Sequence, residues 1–184
     1  MQTVHILVTM PRNAVFHTFF SEERMHELEA VGQVHWNETD RQYTHAELCE
    51  KMAGIDVCVT GWGTPQLDEE VMAHADRLRL VAHMGGSVNG YVSPAVYAKG
   101  ARVVSGNEVF AESVAVVAYA LASLRRIPYY SNELARGNWV ENFSNRGLLD
   151  RSVGIVGYGM ISRSVVPMLR FFHCPVKVFS RHIR

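Results

Sequence analysis

Apolar residues in this chain fall into short runs, separated by polar stretches that carry helix-capping and turn residues. Residues 3–9 form a β-branched apolar run and predict a strand. Ser21 can cap a helix to Val31, with Glu22 and Glu23 well placed in its first turn. Residues 33–36 predict a second short strand. Thr44 and Glu47 spell a capping box that opens a helix to Met52, and Gly54 stops it. A strand is expected over 55–60, then a short helix from Asp68 to Ala75, then a strand over 78–83 running into Gly85 and Gly86. Ser93 and Pro94 start a further helix with proline in its first turn, Gly100 ends it, and 101–105 reads as a fifth strand. Short strands with helices as crossovers imply parallel pairing and an α/β sheet.

Beyond this point the texture changes. The segment from Glu112 to Arg126 is helical by composition and apolar on nearly every face, so it calls for burial all round, in the core of its own domain or against a second subunit. An amphipathic helix over 129–136 closes at Gly137, and a polar loop spans 139–149. A new unit then opens with a strand over 152–156, a glycine turn, an amphipathic helix to about Phe172 and a strand over 175–180. The chain is therefore expected to hold two domains, 1–105 and 106–184.

Composition narrows the function classes. The 184 residues carry 18 Lys+Arg against 18 Asp+Glu with nine His, and 48% are hydrophobic, an ordinary globular balance. Zero net charge and the lack of a basic run argue against a nucleic-acid partner. The longest apolar stretch, 114–124, falls short of the ~20 residues that span a bilayer. The first residues lack a basic segment and a small-residue cleavage site, so they read as a strand rather than a signal peptide. Cys49, Cys58 and Cys174 are odd in number and widely spaced, which fits reduced thiols in a cytoplasmic protein.

The chemistry gathers at Gly157-x-Gly159-x-x-Ser162, between a strand and a helix. The first glycine permits a tight turn, the second lets backbone approach a pyrophosphate, and a small third residue lets the helix pack against the strand. The helix start, at Met160 and Ile161, then presents free N–H groups and a positive dipole end to the phosphates. Such a fingerprint places an acidic residue about 20 positions on, to hold a ribose hydroxyl. Here Ser180 stands 18 residues after Ser162, followed by Arg181, and no carboxylate occupies the site. Serine does not repel a 2′-phosphate and Arg181 can pair with one, so the expected cofactor is NAD(P), with NADP favoured over NAD.

Three stretches resemble the D-isomer-specific 2-hydroxyacid dehydrogenases: Ala82-His83-Met84-Gly85-Gly86-Ser87-Val88-Asn89; 99–105 with Ala111-Glu112-Ser113-Val114-Ala115, Arg125-Arg126-Ile127-Pro128 and Gly137-Asn138-Trp139; and 153–161. The resemblance spans nearly the whole chain. It implies a flavodoxin-like parallel-sheet substrate domain followed by the first part of a Rossmann domain, and hydride transfer between a nicotinamide and a small 2-hydroxy or 2-keto acid. It further implies that N–H groups of Gly85, Gly86 and Ser87 hold the substrate carboxylate, as successive amides of a glycine turn can without a cation. The helix from Glu112 to Arg126 is implied as a homodimer contact. The chain departs from the family at Val116, where glutamate is usual, at Ser162 and at Ser180. The family's catalytic Arg, Glu and His fall beyond Arg184, so no catalytic residue is assigned. The chain is expected to be the N-terminal portion of a longer enzyme, or a truncated product that dimerises, and to be inactive alone. A non-catalytic dinucleotide-binding or dimerisation module, corepressor-like, is the alternative.

Other features carry less. His45 and Cys49 stand at i,i+4 on a helix, but no third or fourth ligand is evident, and no metal site is assigned. His173 and His182 read as surface residues. Trp62 and Tyr91 follow strand ends and are placed to line a ligand cleft or simply to pack their loops. No G-x-S-x-G elbow supports hydrolase chemistry.

Overall fold

In the computed structural model, which describes residues 3–113, 116–141 and 145–181, helix starts follow the capping residues. The elements in chain order are β1 (His5–Pro11), α1 (Phe16–Phe19), α2 (Glu22–Val31), β2 (Gln33–Asn37), α3 (His45–Lys51), β3 (Val57–Thr60), α4 (Glu69–His74), β4 (Leu80–His83), α5 (Pro94–Ala98) and β5 (Arg102–Ser105). There follow α6 (Asn107–Ser113), α7 (Val116–Leu124), α8 (Ile127–Ala135), β6 (Val153–Val156), α9 (Met160–Phe171) and β7 (Val176–Phe179). Ser21, Thr44, Asp68 and Ser93 each accept a backbone N–H at the helix they open, and Thr44 with Glu47 completes a reciprocal box. Glu47 also takes a two-pronged pair of bonds from Arg41, which with the Thr44 N–H holds its carboxyl down at about 2. The single-turn α1, whose first N–H groups at Val15 and Phe16 are accepted by Asn13 Oδ1, was not foreshadowed by periodicity.

Contacts divide the chain into two units, 1–107 and 108–184. In the first, five parallel strands lie in the order β2-β1-β3-β4-β5. This is the doubly wound order of flavodoxin-like sheets. Alternate residues of a strand face opposite ways, and both faces are covered. Ile6, Val8, Met10 and Val59 pack with Phe16 and Phe20 on one side. Leu7, Cys58 and Val81 meet Leu48, Met52, Val71, Met72 and Val96 from α3, α4 and α5 on the other.

The second unit pairs β6 with β7 in parallel, Val153 opposite Val176 through Val156 opposite Phe179. Val165 and Leu169 of α9, Val117 of α7, Leu148 and Cys174 form its core. The apolar helix differs from its expectation. Helix already begins at Asn107, α7 ends at Leu124, and Arg126 takes a left-handed conformation (φ 53°) that separates α7 from α8. Residues 114 and 115, and the side chains of 111–116, lie outside the description. Burial is one-sided, not all-round: Val117 is 8% exposed and Tyr119 75%. Ala118 and Ala120 leave room for neighbours, but within one chain only the Val117–Leu121–Leu124 face finds them.

Among the described residues no helix is long and apolar enough to cross a membrane. All three cysteines are free and buried.

Candidate functional site

Two glycine turns, one in each unit, present backbone amides. The first follows β4. Strand pairing delivers His83 opposite Thr60 and Ser105, and Met84 N–H closes back on the Thr60 carbonyl at 2.8 Å. The Gly85 carbonyl accepts from Gly106 N–H at 2.9 Å. The N–H groups of Gly85, Gly86 and Ser87 donate to no other described residue; Gly85 is buried, Gly86 half-buried and Ser87 exposed. Gly85 is required by space: a Cβ there would lie 2.5 Å from His83 Nε2 and 3.1 Å from Trp62 Nε1. The His83 ring cannot yield easily, since Thr60 Oγ1 sits 3.0 Å from its Nδ1 and Tyr91 stacks on it at 4.4 Å. Its Nε2 is buried with no hydrogen-bond partner among the described residues, and burial pushes its pKa below the usual histidine value, keeping the ring neutral. Trp62 is 54% exposed and rests edge-on against Phe19 at 5.6 Å, while Tyr91 is committed to His83.

The second turn leaves β6. Gly157 donates to Phe179 O at 2.7 Å and holds φ 89°, a left-handed value that disfavours any other residue. Gly159 occupies the N-cap of α9 and offers no side-chain cap. The first turn of α9 is thus left with donors to spare, at its positive dipole end. Nothing lies within 4 Å of where a Cβ would stand on either glycine. The loop and the end of β7 line one hollow of about 500 Å³, with Val156, Gly157, Tyr158, Gly159, Arg163, Phe179, Ser180 and Arg181 around it. Of the residues singled out from sequence, Gly157, Gly159, Ser180 and Arg181 are brought together here. Met160, Ile161 and Ser162 start α9 but do not line the hollow. Ile161 and Ser162 border a separate apolar recess with Val117 and Val165, and the Ser162 hydroxyl donates to Gly157 O at 3.0 Å, tying the turn to the helix.

Arg163 is a site residue that motif reading missed. It lies one position past Ser162, with its guanidinium 5.7 Å from the Tyr158 ring centroid, and its place on the helix face nearest the loop was the available signal. With Arg181 it gives the hollow two cations and no carboxylate among the lining residues. A doubly negative diphosphate fits that lining. His173 takes a left-handed turn after α9 (φ 55°), away from this lining, and His182 lies outside the described residues. Elsewhere, α3 and α4 bring His45, Cys49 and Glu70 together.

Residues 117–184 match the family model for the NAD-binding domain of D-isomer-specific 2-hydroxyacid dehydrogenases. The D-3-phosphoglycerate dehydrogenase of Methanocaldococcus jannaschii is 31% identical over 172 residues, covering 92% of this chain and 30% of that protein. Residues 117–184 thus belong to the NAD-binding domain of the D-isomer-specific 2-hydroxyacid dehydrogenase family. The glyoxylate reductase of Pyrococcus furiosus is 25% identical over 170 residues, covering 87% of this chain and 50% of that one. The chain therefore spans between about a third and half the length of these relatives. A solved acyclic imino acid reductase in complex with NADPH and D-Arg superposes with a TM-score of 0.80 at 15% identity, over 97% of this chain and 57% of that one. At that identity the likeness speaks for the shared fold alone.

Proposed function

We propose that this chain binds a nicotinamide dinucleotide as part of an oxidoreductase that interconverts a small D-2-hydroxy acid and its 2-keto acid. The observation that carries this reading is the single hollow formed by Gly157, Gly159, Arg163, Ser180 and Arg181 at the uncapped start of α9. Gly157 and Gly159 of this hollow lead into the first turn of α9, whose amides at Met160, Ile161 and Ser162 are to take the pyrophosphate with the helix dipole behind them. Ser180 and Arg181, at the end of β7, take the ribose. The lack of a carboxylate in that lining, and the charge of Arg181, favour a 2′-phosphate and hence NADP. When bound, the dinucleotide supplies or accepts the hydride. In the first unit, the amides of Gly85, Gly86 and Ser87 hold the substrate carboxylate, and His83 and Trp62 stiffen that turn.

Keto-acid reduction also needs a proton donor, normally a histidine tuned by a carboxylate. Beside either glycine turn the described residues offer no such pair, so the 184-residue chain alone is expected to bind dinucleotide without turnover. The same reading has the segment from Glu112 to Arg126 meet a second copy, supported by the exposure of Tyr119 on it.

Fluorescence titration of the purified chain tests the proposal. NADPH should bind more tightly than NADH, Arg181→Ala should erase the difference, and Ser180→Asp should reverse it. A flat titration with both dinucleotides would sink the assignment. Steady-state turnover of a 2-keto acid by this chain would overturn its expected inactivity while leaving the binding site in place.

A further inference from the structure

The starts of α3 and α4 gather four metal-competent side chains that lie up to 25 residues apart in sequence. His45 is the first residue of α3, and Cys49 follows one turn later on the same face. Asp68 caps α4, and Glu70 stands in its first turn. Cys49 Sγ lies 3.9 Å from His45 Nδ1, and Glu70 Oε2 lies 3.9 Å from the same nitrogen. The three donor atoms all fall within 4.8 Å of one another. On the far side of the ring, His45 Nε2 is 2.8 Å from Asp68 Oδ2. The other oxygen of Asp68 accepts from Val71 N–H at 3.0 Å, so that carboxylate is fixed in place.

The bond to Asp68 decides the imidazole's tautomer. A carboxylate only accepts, so Nε2 carries the hydrogen and Nδ1 turns its lone pair toward Cys49 and Glu70. A carboxylate behind an imidazole is how histidine ligands are oriented and made more basic in metal sites. The spacing is close to what coordination requires. A tetrahedral zinc with bonds of ~2.3 Å to sulfur and ~2.0–2.1 Å to nitrogen and oxygen sets N···S at ~3.6 Å and N···O at ~3.4 Å. The observed 3.9 Å separations need to close by only a few tenths of an ångström. Glu70 is free to supply that movement, its side chain being 74% exposed.

We propose that His45 Nδ1, Cys49 Sγ and the Glu70 carboxylate bind a zinc-class divalent cation, with Asp68 holding the imidazole from behind and a water in the fourth position. The donor set of one nitrogen, one sulfur and one oxygen selects borderline transition metals over calcium or magnesium, which take oxygen ligands. On coordination the Cys49 thiol releases its proton to solvent and binds as thiolate. The cation ties α3 to α4, and it stabilises the first unit by mass action.

Cobalt(II) is the probe, titrated into the full reduced chain. One equivalent should bring up the thiolate-to-cobalt charge-transfer band in the near ultraviolet and the visible bands of a tetrahedral ion, and zinc should displace both. Cys49→Ser should abolish the charge-transfer band, whereas Cys58→Ser and Cys174→Ser should keep it. His45→Gln, at a part-exposed helix start, should lose the tetrahedral bands, and it carries the test should Cys49→Ser fail to fold. Asp68→Asn still caps α4 but cannot accept from Nε2–H with its amide nitrogen, and should weaken cobalt binding ~10–100-fold. No charge-transfer band in the parent chain at millimolar cobalt, or a band that survives both Cys49→Ser and His45→Gln, overturns the proposal.

Discussion

The two units are built from the same parallel strand–helix–strand step and reach different degrees of closure. In the first, β1 has a neighbour on each edge and helices on each face, and six of its seven residues are buried. In the second, β6 and β7 pair with each other, and their residues are half-buried or exposed: Val156 is 87% exposed and Phe179 71%. A parallel strand is enclosed only when both edges and both faces are occupied, which five strands achieve and two do not. The comparison also separates stability from binding. The five-stranded sheet encloses its central strands, whereas the open pair leaves Gly157 and Gly159 at the start of α9 facing solvent.

The sharpest way to break that comparison is to truncate one large apolar side chain in each unit. Leu7→Ala, at a side chain 1% exposed, should cost ~3–5 kcal/mol in urea denaturation. Phe171→Ala, on the 79% exposed side of α9, should stay within ~1 kcal/mol. Equal losses would mean that the second unit is as closed as the first.

The next largest effect is expected at Asp56, whose side chain is 3% exposed. It accepts from His5 N–H at 2.9 Å and from Arg77 and Arg79 at 2.9 and 3.2 Å. Burial pushes its pKa up, but the His5 amide and the Arg77 guanidinium outweigh burial and hold it below the usual carboxylate range. Asp56→Asn should cost ~2–4 kcal/mol. Because the folded pKa is depressed, this stability is present above the ordinary value of ~3.9 and is lost as pH falls from there through the folded value. Relative to the parent chain, the Asn variant should lose that acid dependence. In the second unit the ion pair between Arg136 and Glu133 is on the surface, and its removal should be nearly silent.

The smallest effects distinguish the two turns. Gly85→Ala should cost ~1–3 kcal/mol, because its methyl meets a braced His83 ring. Gly157→Ala should cost ~1–2 kcal/mol from its left-handed backbone alone. Gly159→Ala, with φ −83° and open space, should leave stability within ~0.5 kcal/mol while weakening NADPH binding. A Gly159→Ala variant with unchanged affinity would remove that residue from the phosphate loop.

Much of the fold was legible from short-range signals. Ser21, Thr44, Asp68 and Ser93 all cap the helices their positions suggested, because a cap involves only residues within three or four positions. For the apolar helix, composition calls for a cover without saying which one: Tyr119 stays 75% exposed within this chain, and burial against a second subunit is the proposal that remains. Arg163 was missed because the fingerprint concerns glycines, and its role depends on how α9 turns toward β7.

The order of elements, the capping residues, the glycine turn between β6 and α9 and the family match of residues 117–184 follow from the sequence by itself, since each depends on neighbours along the chain. Only the tertiary structure decided that β1 lies between β2 and β3, that Thr60 bonds the His83 ring from the neighbouring strand, and that Glu70 and Asp68 reach Cys49 and His45. Those juxtapositions join residues more than 20 positions apart, or on different strands, and they arise from the packing of helices against a common sheet, which no local pattern encodes.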